Sequence, residues 1–156
     1  MIELVNVTKK FDEHVLFDGL NCQFLEGKTY ALVGQSGAGK TTLLNIIGKL
    51  ETYDMGRIMV DGIDLKTIKE KDYFLRYLSY LFQNYGLIEN KTIQENLDLA
   101  FIGRKISKSE KREQMQNALK RVNLNLDLNR KIFTLSVGES QRVAIAKTIL
   151  KDSPII

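Results

Sequence analysis

The 156-residue chain has one cysteine, one proline, one histidine and no tryptophan. The single cysteine, Cys22, excludes an internal disulfide and suits a reducing compartment. It alternates with apolar neighbours in Leu20–Phe24, the pattern of a thiol packed in a strand. The lone histidine, His14, has no second histidine to complete a metal site or a catalytic pair, and reads as a loop or strand-edge residue. No apolar run is long enough to span a bilayer. Glu3 interrupts a short apolar start, which does not read as a signal peptide of ordinary pattern. Internal repeats and low-complexity linkers are also lacking.

What is present is an ordinary globular composition, 44% hydrophobic and 27% charged, at the length of one domain. The net charge of +4, with a pI near 9.1, permits an anionic partner. The basic residues are scattered among acidic ones, however, with small clusters only at Lys9–Lys10 and Lys108–Arg112. A solvated surface, with no nucleic-acid partner, is the better reading.

Residues 2–7 alternate like a strand, and 14–24 read as two more with a turn at Asp18–Gly19. After a turn at 25–28, the continuous apolar run 29–33 predicts a short strand buried on both faces. A glycine-rich loop leads into a helix with Leu43, Leu44, Ile46, Ile47 and Leu50 toward the core. Residues 57–65 read as a hairpin about Asp61–Gly62, and 77–82 as another strand. Thr92 with Glu95, and Ser107 with Glu110, are spaced as capping boxes that open two helices, the second running to Val122. A polar, asparagine-rich connection at 123–131 precedes a third helix, which has a small-residue face of Val143, Ala144, Ala146, Thr148 and Ile149 and breaks at Pro154. A mixed β/α core at 1–83 and 135–156 therefore encloses a helical insert at 84–134.

The loop GQSGAGKTT, residues 34–42, satisfies G-x-x-x-x-G-K-[ST] in full. By residue frequencies alone this pattern arises by chance in roughly one chain of this length in a few hundred. Its glycines, Gly34, Gly37 and Gly39, let the backbone curl so that successive N–H groups form an anion nest, continued through Gln35, Ser36 and Ala38. The following helix turns its positive end to the same spot. Lys40 reaches the outer phosphates, Thr41 can hold Mg²⁺, and Thr42 completes the loop. The expected ligand is a nucleoside triphosphate.

A second constellation, LSVGESQR at 135–142, places Ser136, Val137, Gly138 and Glu139 at a helix start, which is either another anion-binding terminus or an ordinary N-capped helix. These residues resemble the signature of the ATP-binding-cassette (ABC) family, usually LSGGQ followed by a QR pair. The family's other marks follow in order. Phe11, in VTKKF, sits where the family has an aromatic that stacks on adenine. Gln83, ending YLFQ, matches a glutamine that contacts Mg²⁺ and the attacking water. The insert at 84–134 matches the family's helical subdomain. The run AIAKTILKDSPII resembles the approach to its Walker B strand. The resemblance covers the whole chain. It implies a P-loop NTPase (RecA-like) core with an N-terminal antiparallel β subdomain and an inserted α-helical subdomain. Within the family, residues 80–97 most resemble the subgroup serving macrolide export, lipoprotein release and bacteriocin export, and QNYGLIE the bacteriocin exporters in particular.

Two departures stand in the signature: Val137 replaces a glycine and Glu139 a glutamine. A β-branched residue resists positive φ and adds bulk, so Val137 either weakens contact with phosphate or is tolerated, as in family members that carry valine here. In the family, the strand beginning like 154–156 carries an Asp for Mg²⁺ and a Glu that serves as general base, and a histidine comes later. The chain stops before them, so it reads as C-terminally truncated, with an incomplete core and no hydrolysis of its own.

The resemblance implies an ATP-binding subunit that uses ATP and Mg²⁺ and works peripherally on the cytoplasmic face of a membrane. When intact, it would dimerise head to tail and drive export through a separate permease. The signature of one subunit would then contact the nucleotide of the other. A soluble ABC protein without a membrane partner, or a fragment that only binds, is the competing reading. An adjacent permease gene would separate the first of these from transport.

Overall fold

The computed structural model describes residues 1–156, which form two compact units, Met1–Asp72 and Tyr73–Ile156. In the first unit, β1 (Ile2–Phe11) and β2 (His14–Phe24) pair antiparallel along almost their whole length. β3 (Met55–Val60) pairs with the other edge of β1, and β4 (Ile63–Asp64) closes the hairpin expected at Asp61–Gly62. The sheet order is β2-β1-β3-β4. Ile2, Leu4 and Val7 of β1 are buried, as are Ile58 and Val60 of β3, so one face of the sheet is the apolar one.

β2 is one strand and not two. The residues read as a turn, Asp18–Gly19, are a bulge in which the Gly19 N–H donates to Thr8 Oγ1 at 3.2 Å. β1 bulges as well: Asn6 takes φ 49, held by its N–H donating to Asn21 Oδ1 at 2.9 Å while Asn21 Nδ2 donates back to Asn6 Oδ1 at 3.0 Å.

The buried strand expected at 29–33 does not form, and Val33 is 89% exposed. A strand buried on both faces needs ladders on both edges. None of the four strands of this unit pairs with residues 29–33. Tyr30 still folds back, with its ring edge-on to Phe24 at 5.1 Å and its hydroxyl accepting from the Leu25 N–H. The helix after the loop, α1 (Lys40–Ile47), buries Leu43, Ile46 and Ile47, whereas Leu44 and Leu50 are exposed.

Between the hairpin and residue 77 lies a short helix that the sequence pattern did not reveal, α2 (Glu70–Arg76), which buries Tyr73. Residues 77–82, expected as a strand, make only one parallel bridge, Leu78 to Ile155. The Ser79 N–H donates to Ile155 O at 2.8 Å, and the Ile155 N–H to Tyr77 O at 3.0 Å. Residues 154–156 thus do start a parallel pairing, one bridge long.

The second unit is helical. α3 (Ile93–Asp98), α4 (Lys108–Arg121) and α5 (Val137–Lys151) share one core with the 3₁₀ turns Leu99–Phe101 and Ile132–Thr134. Thr92 and Glu95 form the expected capping box, while Ser107 caps α4 with its hydroxyl alone. Asn96 is fully buried and fully used, bonded to both backbone groups of Ile88 and to Thr92 O. The connection at 123–131 is less polar than it reads, because Leu124 and Leu128 are buried in this core. Its backbone caps α3, with the Ile93 and Gln94 N–H groups donating to Arg130 O and Leu128 O.

Candidate phosphate-binding site

The glycine loop lies in the first unit, exposed from Gly34 to Ala38. Gly37 and Gly39 both take φ 82, a left-handed conformation costly for any side-chain-bearing residue. At Gly39 a second constraint applies. A Cβ there would lie 2.7 Å from Phe17 Cζ and 2.9 Å from Leu16 Cγ, so the loop rests directly on β2. The loop closes on itself through the Ala38 N–H donating to Gln35 O at 3.3 Å.

Gly39 is also the N-cap of α1 and has no side chain with which to cap it. The first turn contains no acidic residue. The leading N–H groups of α1 are therefore left unsatisfied by side chains, at the positive end of the helix. α3 and α5 are built differently, each closed by a hydroxyl and a glutamate. Of the three, only α1 offers an anion an open terminus. Lys40 stands beside it, its ammonium donating to Gly34 O at 2.9 Å and Gln35 O at 2.7 Å, which bends the side chain back along the loop. Thr41, next along, is exposed, and Thr42 is half-buried. A hydroxyl beside a phosphate cradle fits a hard, oxygen-liganded cation such as Mg²⁺. No cluster of three or more His, Cys, Asp or Glu offers a metal site elsewhere. A cavity of about 510 Å³ in this unit is lined by Ile46, Lys49, Glu51, Tyr53 and Lys66, and by no residue of the loop. The candidate site is therefore an exposed backbone nest and not a closed pocket.

Phe11 ends β1 in the same unit, 43% exposed, with the Lys9 ammonium 4.4 Å from its ring centroid. The sequence reading missed Lys9 and Phe17. The period of two along β1 places Lys9 on the Phe11 side and was the available signal for it. Nothing in the pattern marks Phe17 as the floor of the loop.

Gln83 and the 136–139 residues belong to the second unit. Gln83 is exposed in a turn where the Tyr85 N–H donates to Phe82 O at 2.9 Å. Ser136 is the N-cap of α5. Its hydroxyl donates to Glu139 Oε2 at 2.8 Å and accepts from the Glu139 N–H at 3.3 Å, and the same carboxylate accepts the Ser136 N–H at 2.8 Å. These bonds, with Arg130 at 3.7 Å, hold the Glu139 carboxyl below the usual carboxylate range. The terminus is thus occupied by the chain's own anion. Val137 is the first residue of α5, its φ is not positive, and its side chain is 73% exposed. At Gly138 a Cβ would meet only Arg142 Nη1, at an ordinary 3.8 Å.

Residues 17–156 match the family model described as ABC transporter. The methionine import ATP-binding protein MetN of Clostridium acetobutylicum is 35% identical over 158 residues, a match covering all of this chain and 49% of that protein. The spermidine/putrescine import ATP-binding protein PotA of Acetivibrio thermocellus is 36% identical, over all of this chain and 44% of its own length. The chain thus spans about half the length of these relatives. Among solved structures, the dimeric ABC transporter cassette MJ0796 superposes with a TM-score of 0.88 at 31% identity, covering 99% of this chain and 72% of that one. The same cassette bound to ADP and Pi, after hydrolysis, gives 0.87 at 32% identity over the same shares. The α/β architecture of the chain is that of these P-loop cassettes.

Proposed function

The chain belongs to the ABC transporter family, and from that premise we propose that it is the ATP-binding subunit of a transporter whose membrane-spanning part is a separate permease. The observation that carries this reading is the open N-terminus of α1, with Gly39 left-handed and pressed on Phe17, Lys40 beside it and no acidic residue in the turn. Gly34 to Thr42 would hold the triphosphate, Phe11 would stack on adenine, and Thr41 and Gln83 would hold Mg²⁺. The bound metal supplies charge neutralisation at the outer phosphates.

Support for a dimer comes from the dimeric MJ0796 cassette. From the resemblance of the signature we assign Ser136, Val137, Gly138 and Glu139 to the nucleotide of a partner copy, which would have to take over the Ser136 hydroxyl and N–H now held by Glu139. Residues 84–134, as a helical subdomain, would dock the permease. No helix of the chain is long and apolar enough to cross a membrane; the subunit is assigned a peripheral role on the cytoplasmic face from the family resemblance alone. The export subgroup suggested by residues 80–97 finds no support in the relatives described above, which are named for import. Direction and cargo are assigned to the permease. Residues 1–156 are proposed to bind Mg-ATP.

The test is thermal unfolding of the 156-residue chain with and without Mg-ATP. Stabilisation that rises with ligand concentration supports the reading. No stabilisation at millimolar Mg-ATP contradicts it.

A further inference from the structure

Lys9 is a cation where cations are rare. It is 5% exposed in the middle of an antiparallel sheet, and a lysine is almost never so buried unless it is paired. Its ammonium is paired, at 2.8 Å from Glu51 Oε1. That bond, together with the Thr52 N–H on the same oxygen, holds the Glu51 carboxyl below its ordinary range. The pair accounts for the charge of Lys9 but not for its second contact. The same ammonium stands 4.4 Å from the centroid of the Phe11 ring, two residues along β1. Phe11 is otherwise exposed. An exposed aromatic at a strand end samples several rotamers, and a ligand that stacks on it must offset that freedom.

We propose that Lys9 is a positioning residue for the nucleotide base: clamped by Glu51, its ammonium covers one face of Phe11 and fixes the ring, leaving the opposite face as a single, preset platform for adenine. This rests on the assignment of Phe11 to the base. The placement fits the rest of the site. Lys9 lies opposite Phe17 in the β1–β2 ladder, and Phe17 is the ring on which Gly39 rests. One pair of strands therefore carries both the platform for the base and the floor of the phosphate loop. Lys9 touches neither phosphate nor base in this arrangement, so its effect belongs to the base alone.

The experiment titrates Mg-ATP and inorganic tripolyphosphate against the full chain and its Lys9→Met, Lys9→Arg, Phe11→Ala and Lys9→Met/Phe11→Ala variants. A cation on an aromatic face is a modest interaction, so Lys9→Met should weaken ATP about threefold while sparing tripolyphosphate. Lys9→Arg, which keeps a cation over the ring, should recover most of the loss. In the Phe11→Ala background, Lys9→Met should have no further effect. Equal weakening of both ligands would make Lys9 a purely structural residue and overturn the proposal. So would an undiminished Lys9→Met effect without Phe11, or a selective Phe11→Ala loss unaccompanied by any Lys9→Met effect. If Phe11→Ala itself spares ATP, the base-stacking assignment falls first, and the role of Lys9 with it.

Discussion

Gly39 and Phe17 are in contact closer than any side chain at position 39 would permit: a Cβ there would sit 2.7 Å from Phe17 Cζ. Gly39 is at the same time left-handed, with φ 82 and ψ 9, and it caps α1. One residue thus meets a conformational and a steric demand together, and both serve to turn the first N–H groups of α1 outward. Gly39→Ala should cost about 1–3 kcal/mol from the backbone alone, with the displaced Phe17 ring adding to it. Gly37 shares the φ of 82 but has open space around its Cβ position, so Gly37→Ala should be the milder change. Urea unfolding of the two variants checks the order. Equal losses would mean that the Phe17 contact carries no weight.

Gly138 should behave in the opposite way. Its φ is not positive and no atom blocks a Cβ, so Gly138→Ala should leave the isolated chain as stable or slightly more stable, by less than the ~1 kcal/mol of a helix-interior glycine. If the signature meets a partner's nucleotide, the same change should impair association of copies on ATP. Thermal unfolding and analytical ultracentrifugation read the two effects separately.

The capping boxes make α3 and α5 sensitive to acid. Glu95 is held down to about 2, from an ordinary 4.5, by the Lys91 ammonium and then by the Thr92 N–H; Glu139 is lowered chiefly by the Ser136 N–H and hydroxyl. A depressed carboxyl contributes stability that is fully present above the unfolded value and is lost as pH falls through the folded one. The helical unit should therefore weaken between about pH 4.5 and pH 2. Glu95→Gln should lower stability at pH 7 and matter little near pH 2. Unfolding curves for wild type and variant across that range check this, and parallel curves would deny the box its role.

The features legible in the sequence are those set by local chemistry. The loop at 34–42, the hairpin about Asp61–Gly62 and the caps at Thr92 and Ser107 each depend on residues within a few positions of one another. What misled depends on partners distant in the chain. The run 29–33 has the composition of a central strand but finds no ladder here, and 77–82 gains only the bridge to Ile155. In Asp18–Gly19 a turn dipeptide marks a bulge, because Thr8 across the sheet supplies the bond that keeps β2 continuous. The alternation of leucine with asparagine at 123–131 looked polar by composition, yet Leu124 and Leu128 fill the helical core. At the site, the loop is legible and its support is not: neither Lys9 nor Phe17 belongs to a motif, and each meets a residue of a distant segment, Lys9 meeting Glu51 and Phe17 meeting Gly39.

The central claim is that the open terminus of α1, with Lys40 beside it, binds the phosphates of ATP. Titrating a fluorescent ATP analogue against the wild-type chain and Lys40→Ala, with unfolding curves to confirm that both are folded, tests it most directly. Lys40 is the only cation within the loop, and a charge-assisted contact to phosphate is among the strongest a side chain makes. The account predicts saturable binding by the wild type and at least a tenfold loss in Lys40→Ala, about 1.4 kcal/mol or more. Unchanged affinity in a folded Lys40→Ala chain would contradict it.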